Sequence, residues 1–105
     1  MNTIESRIED LLLLKFNPTV LNILNESYMH NVPEGAESHF KLVIVTDSFK
    51  DISIIKRHKA IYSALEDIIK SIHALSIHPF DEQEYKKYIN FVTWSFFMYV
   101  FYSIY

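Results

Sequence analysis

The chain has no cysteine, a single glycine and three prolines in 105 residues. Without a thiol it forms no disulfide, no cysteine-based zinc site and no thiol nucleophile. Any iron–sulfur chemistry must take its thiolates from a partner. A basic excess is also missing. The net charge is −3 and the pI about 5.9, so nothing pulls the whole chain toward nucleic acid or an anionic membrane, and such binding needs a local patch. Internal repeats and low-complexity linkers are absent. The length suits one domain with a single two-layer core, not an enzyme with a separate cofactor domain. The start, MNTIESRIED, is charged and unlike a signal peptide, which points to the cytoplasm.

What is present concentrates between Tyr28 and Val45, YMHNVPEGAESHFKLVIV. This stretch holds Gly35 beside Pro33 and Glu34. It holds His30 and His39, two of five histidines, and runs into a β-type apolar segment. A polar, turn-rich loop that carries histidines into a buried strand is a suitable place for chemistry.

Around it the elements read in order. Asn2 or Thr3 caps a first helix whose apolar face is Ile4, Ile8, Leu11 and Leu12. Asn17-Pro18 stops it, because the residue before proline is pushed out of the α region. Thr19 to Tyr28 reads as a strand, Met29 to Ser38 as a loop, and His39 to Thr46 as a second strand antiparallel to the first. After a polar connection from Asp47 to Asp51, a helix spans Ile52 to about Lys70, with Ile54, Ile61, Leu65, Ile68 and Ile69 apolar. The cations Lys56, Arg57 and Lys59, with His58 among them, oppose the helix dipole near its start. That requires a break before His58 or a partner for the charges. Ile72 to His78, bounded by Pro79, reads as a third strand with His73, Leu75 and Ile77 on one face. Asp81 caps a last helix, with Glu84 as its capping-box partner.

From Ile89 to Tyr105 no residue is charged. Seventeen residues, diluted by Asn90, Thr93, Ser95 and Ser103, are at the short limit for a membrane span. Packing as an extended helix or sheet, or forming a dimer surface, fits the aromatic content better than a membrane contact.

The order α-β-β-α-β-α and three segments resemble the BolA family: ESYMHNVPEGAESHFKLVIVTDSF (Glu26 to Phe49), KRHKAIYSAL (Lys56 to Leu65) and IHALSIH (Ile72 to His78). The resemblance covers about Ile4 to Tyr88, so a BolA-like domain is expected at 1–88 and a separate tail at 89–105. It implies an α/β (α+β) fold similar to type II KH domains, with a three-stranded mixed sheet and helices on one face. It implies partnership with a monothiol glutaredoxin through a shared [2Fe–2S] cluster. It also implies DNA-binding transcriptional regulation linked to stress, cell shape and biofilm formation. Where the family has Arg-His-Arg, this chain has Arg57-His58-Lys59, and Lys59 lacks the bidentate fork.

The residues bear on each role. Histidine replaces cysteine at an iron of Rieske [2Fe–2S] centres. A chain with histidines and no thiol completes a cluster but does not hold one alone; glutaredoxin cysteine and glutathione would supply the sulfur. The family's ligands map to His30 and His73, with His39 as the alternative loop ligand. The nucleic-acid or partner surface falls on Lys56, Arg57, His58 and Lys59, with Lys50 nearby. KH domains clamp backbone with a Gly-x-x-Gly loop, which one glycine cannot make. An enzyme is not expected. Glu34 and Glu37 have no nucleophile or oxyanion donor assigned near them, and are read as solvating the turn at Gly35.

Overall fold

The computed structural model describes residues 3–104. Helix α1 (Ile4–Phe16) is followed by strand β1 (Val20–Asn25), strand β2 (His39–Val45), helices α2 (Ile54–Ala64) and α3 (Glu66–Ile69), strand β3 (Ala74–Phe80) and helix α4 (Glu82–Ile104). Strand β2 is central, antiparallel to β1 and parallel to β3. This is the expected mixed three-stranded sheet.

Alternation along β2 sends Phe40, Leu42 and Ile44 to one face, where they meet Ile8, Leu12 and Phe16 of α1. Ile61, Leu65 and Ile68 close that layer from the crossover, and Ile77 from β3. Burying each such side chain contributes about 1.5–3 kcal/mol. Two expected core positions are displaced. Leu11 and Ile54 are exposed, and the buried stripe of α1 runs Ile8, Leu12, Phe16 at i, i+4 and i+8.

The caps explain the boundaries. Thr3 Oγ1 accepts the Ser6 N–H at 3.1 Å, so Thr3 is the N-cap of α1; Asn2 lies outside the described residues. Asn17 ends the helix in the left-handed region, with φ 44°. Asparagine tolerates that region, and here it is chosen over the extended geometry expected before Pro18. β1 is shorter than its sequence suggested: it stops at Asn25, and Ser27–Met29 form a 3-10 turn. The helix expected over Ile52 to Lys70 starts behind the N-cap Ser53 and breaks at Leu65, not before His58.

β3 also differs. It begins at Ala74, just after His73, and runs through Pro79 to Phe80. Proline is tolerated because β3 is an edge strand. The Asp81–Glu84 capping box forms as expected. Glu84 N–H donates to Asp81 Oδ1 and Asp81 N–H to Glu84 Oε1, both at 2.8 Å. From this start α4 continues for 23 residues and takes up the uncharged tail. Phe80 packs against Tyr85 and Tyr88, with ring centroids 5.6 and 5.2 Å away. Further along, Phe91, Trp94, Phe96, Phe97 and Tyr99 are exposed. Among the described residues, no helix is long and apolar enough to cross a membrane.

Candidate functional site

The loop between β1 and β2 is built from short-range hydrogen bonds. Ala36 N–H donates to the Pro33 carbonyl at 3.2 Å, closing a turn with Gly35 in its third position at φ 80°. That conformation needs glycine for its backbone angle, since a Cβ there would meet nothing within 4 Å. The Asn25 side-chain amide donates to the Ala36 carbonyl at 3.0 Å, and its Oδ1 accepts the Ser27 N–H at the same distance. Glu37 does not solvate the turn. Its two carboxylate oxygens accept the Ile4 and Glu5 N–H groups at 3.0 and 3.1 Å. A carboxylate on the first amides of a helix is well matched to the dipole, so the loop is fastened to the start of α1.

Beside this loop three histidines come together. His39 opens β2, and His73 immediately precedes β3. The Ser38 carbonyl accepts the N–H groups of His73 and Ala74 at 2.7 and 3.1 Å, so the parallel register sets His73 next to His39. His30 arrives from the end of the 3-10 turn, its N–H donating to the Ser27 carbonyl at 3.0 Å. The rings of His30 and His39 stack with centroids 3.6 Å apart and planes 14° from parallel. His39 and His73 lie 5.0 Å apart at 40°. His30 and His73 are exposed and His39 half-buried. Desolvation, followed by the charges of His30 and then His73, pushes the His39 pKa below its ordinary value. The ring between the other two therefore favours its neutral form. A hollow of about 190 Å³, lined by Tyr62, Ile69, Ile72, His73, Ala74 and Leu75, opens beside His73.

All three histidines singled out in the sequence are thus brought into one cluster. His39, the alternative ligand, occupies its centre. Among the described residues, no group of three or more histidine, aspartate or glutamate side chains is arranged to hold a metal ion by itself. The donor set fits a half-site, with two exposed imidazoles and one half-buried imidazole side by side and no thiolate of its own. Sequence reasoning did not pick out Ser27 and Ser38, which sit behind His39. Their only signal was a serine next to a histidine at a strand start.

The basic segment is less uniform than its sequence. Arg57 is buried, with only 4% exposure, and does not belong to an open cationic surface. Its Nη1 donates to Glu84 Oε1 at 2.6 Å and to the Pro79 carbonyl at 3.4 Å, and its Nε donates to the Ile52 carbonyl at 2.8 Å. The guanidinium carbon lies 5.8 Å from the centroid of the Phe49 ring. Burial raises the Glu84 pKa, but hydrogen bonds from Arg57 and the Asp81 backbone outweigh it and hold the carboxyl below its usual value. His58 Nδ1 is 2.9 Å from the Ile54 carbonyl, and only a protonated nitrogen suits that contact. Of the four residues in this segment, Lys56 and Lys59 are the exposed cations.

Comparison with known proteins places the chain in a family. The DNA-binding transcriptional regulator BolA of Escherichia coli is 44% identical over 84 residues, covering 79% of this chain and 80% of the relative. A BolA-like protein of Dictyostelium discoideum is 46% identical over 86 residues, covering 80% of this chain and 75% of its own. The solved structure of BolA1 from Arabidopsis thaliana superposes with a TM-score of 0.73 at 30% identity, over 80% of this chain and 98% of that one. With residues 12–84 also matching the family pattern described as BolA-like protein, the chain belongs to the BolA family.

Proposed function

We propose that this protein is a non-catalytic adaptor that completes a [2Fe–2S] cluster with imidazole ligands, the thiolates coming from a monothiol glutaredoxin and its glutathione. The observation that carries the reading is the contact of three histidine rings, at 3.6 and 5.0 Å, in a chain with no cysteine. His73 and one or both loop histidines, His30 and His39, are the ligands in this reading. A bound cluster would supply redox chemistry, and imidazole ligation raises its potential relative to an all-thiolate centre. The protein's own part is to present neutral nitrogens on a braced loop and to leave the sulfur positions to the partner. The half-buried His39, with its lowered pKa, suits the first task.

Co-expression with a monothiol glutaredoxin, followed by visible absorption and circular dichroism of the purified complex, tests this. A cluster spectrum that is lost or altered in His73→Ala, and in His30→Ala or His39→Ala, supports the assignment. Spectra unchanged in all three variants would overturn it.

A second reading, DNA-binding regulation, draws on the name of the bacterial relative and on the exposed Lys56 and Lys59. Affinity for promoter duplexes should then fall steeply with salt. Lys56→Ala with Lys59→Ala should flatten the salt slope by about 2, one for each phosphate contact. Affinity indifferent to salt and to both lysines removes this reading.

A further inference from the structure

Ser27 and Ser38 form a small polar assembly directly behind His39. Ser27 is 3% exposed, and its Oγ accepts the N–H groups of Ser38 and His39 at 2.9 and 3.1 Å. These two amides fix Ser27, and its hydroxyl oxygen also accepts from Ser38 Oγ at 3.3 Å. Ser38 Oγ in turn sits 2.7 Å from His39 Nδ1. The same residue holds His73 from its other end, because its carbonyl accepts the His73 N–H at 2.7 Å.

The chemistry of a hydroxyl gives this contact a consequence. It can donate to a bare Nδ1 or accept from an Nδ1–H, but only the second leaves Nε2 bare and able to ligate. With its own proton directed to Ser27 Oγ, Ser38 Oγ accepts from Nδ1–H, and Nε2 is the nitrogen left for a ligand. Ligating histidines characteristically bond their second nitrogen to a neighbouring group, which sets the ring orientation and the basicity of the ligating atom.

We infer that Ser38 is the positioning residue of the histidine cluster: it engages His39 Nδ1 and so assigns Nε2 as the atom offered to an incoming iron. Ser27 acts one step further back by holding the Ser38 and His39 backbone. The stacking of His30 on His39 then depends on a ring plane that Ser38 helps to set. This inference rests on the imidazole half-site reading, but its first test does not use a cluster.

Long-range nitrogen–proton NMR of the ¹⁵N-labelled full chain, without glutaredoxin, reads the tautomer of each histidine. Removing one net hydrogen bond in Ser38→Ala should change the tautomer ratio of His39 roughly fivefold. The ratios of His58 and His78 should not move, and Ser38→Thr should restore that of His39. Ser38→Gly gives the same reading if the alanine variant does not fold. An unchanged His39 ratio in the variant that folds overturns the inference, whatever the cluster does. In the complex with glutaredoxin, Ser38→Ala should speed cluster release by about 10–100-fold. Release at the wild-type rate, with a cluster that is lost in His39→Ala, also overturns it. If the His39 ratio changes as expected but the cluster spectrum ignores every histidine substitution, the positioning contact stands and the half-site reading falls.

Discussion

The two ends of the β2–β3 pair make opposite use of polar side chains. At the His39–Ala74 end, three imidazoles meet at the surface and a serine steers the central one. At the Val45–Phe80 end, Arg57 is buried against Glu84 and two backbone carbonyls. Both ends are rich in groups that bind anions, metals or partners. Only the first leaves them uncommitted. A cation whose donors go to a carboxylate and to carbonyls of its own chain holds the fold together. Imidazoles stacked in the open, supported from behind, are available to something outside. The difference lies in what surrounds each group rather than in residue type.

The contrast breaks most readily at the arginine end. Arg57→Ala is expected to lower unfolding stability by about 2–3 kcal/mol in urea, since it leaves the Ile52 and Pro79 carbonyls without their donor. Half-exposure of Glu84 keeps the figure below that of a fully buried pair. A loss under about 0.5 kcal/mol would return Arg57 to the open basic surface suggested by its sequence. Glu84→Gln keeps an oxygen for the Asp81 N–H but loses the charge opposite Arg57, for an expected cost of about 1 kcal/mol. At the histidine end, His30→Ala or His73→Ala should change stability by less than about 0.5 kcal/mol, because both side chains are exposed.

Acid sharpens the comparison. The folded pKa of His39 lies below its ordinary 6.5, so the unfolded chain binds that proton more tightly. Stability from this source is kept above about pH 6.5 and lost as the pH falls through the window below it. The lowered Glu84 pKa acts in the same direction further down, as the pH falls below 4.5. Urea midpoints measured from pH 7.5 to 5 should decline in the wild type and flatten in His39→Ala. The smallest effect is expected from ending the chain at Tyr88. Among the described residues beyond Tyr88 the aromatics are mostly exposed and none belongs to the core, so the melting temperature should hardly move.

Much of this was legible before folding. The mixed three-stranded sheet and the three histidines were read from the resemblance, though the register that sets His73 next to His39 was not, and the capping pair Asp81 and Glu84 marked the start of α4. Other features were hidden by their nature. The burial of Arg57 depends on Glu84, 27 positions away, and on a carbonyl freed by Pro79, which helical periodicity cannot report. Glu37 reads as a loop carboxylate until α1 is seen to begin beside it. Leu11 lies at the rim of the α1 stripe, and the apolar pattern alone cannot tell that the buried row continues to Phe16 instead. The break at Leu65 has neither proline nor glycine to announce it.

Pro79 carries a consequence for the company this sheet can keep. The Phe80 carbonyl accepts the Thr46 N–H at 3.0 Å and so points toward β2, which turns the backbone of Pro79 outward. At that residue the outer edge of β3 has no N–H to donate, and its carbonyl is taken by Arg57. A foreign strand aligned along β3 would find a gap in its ladder there. Sheet-to-sheet growth between copies of this chain is thereby discouraged at the Val45–Phe80 end of that edge, the end away from the histidines.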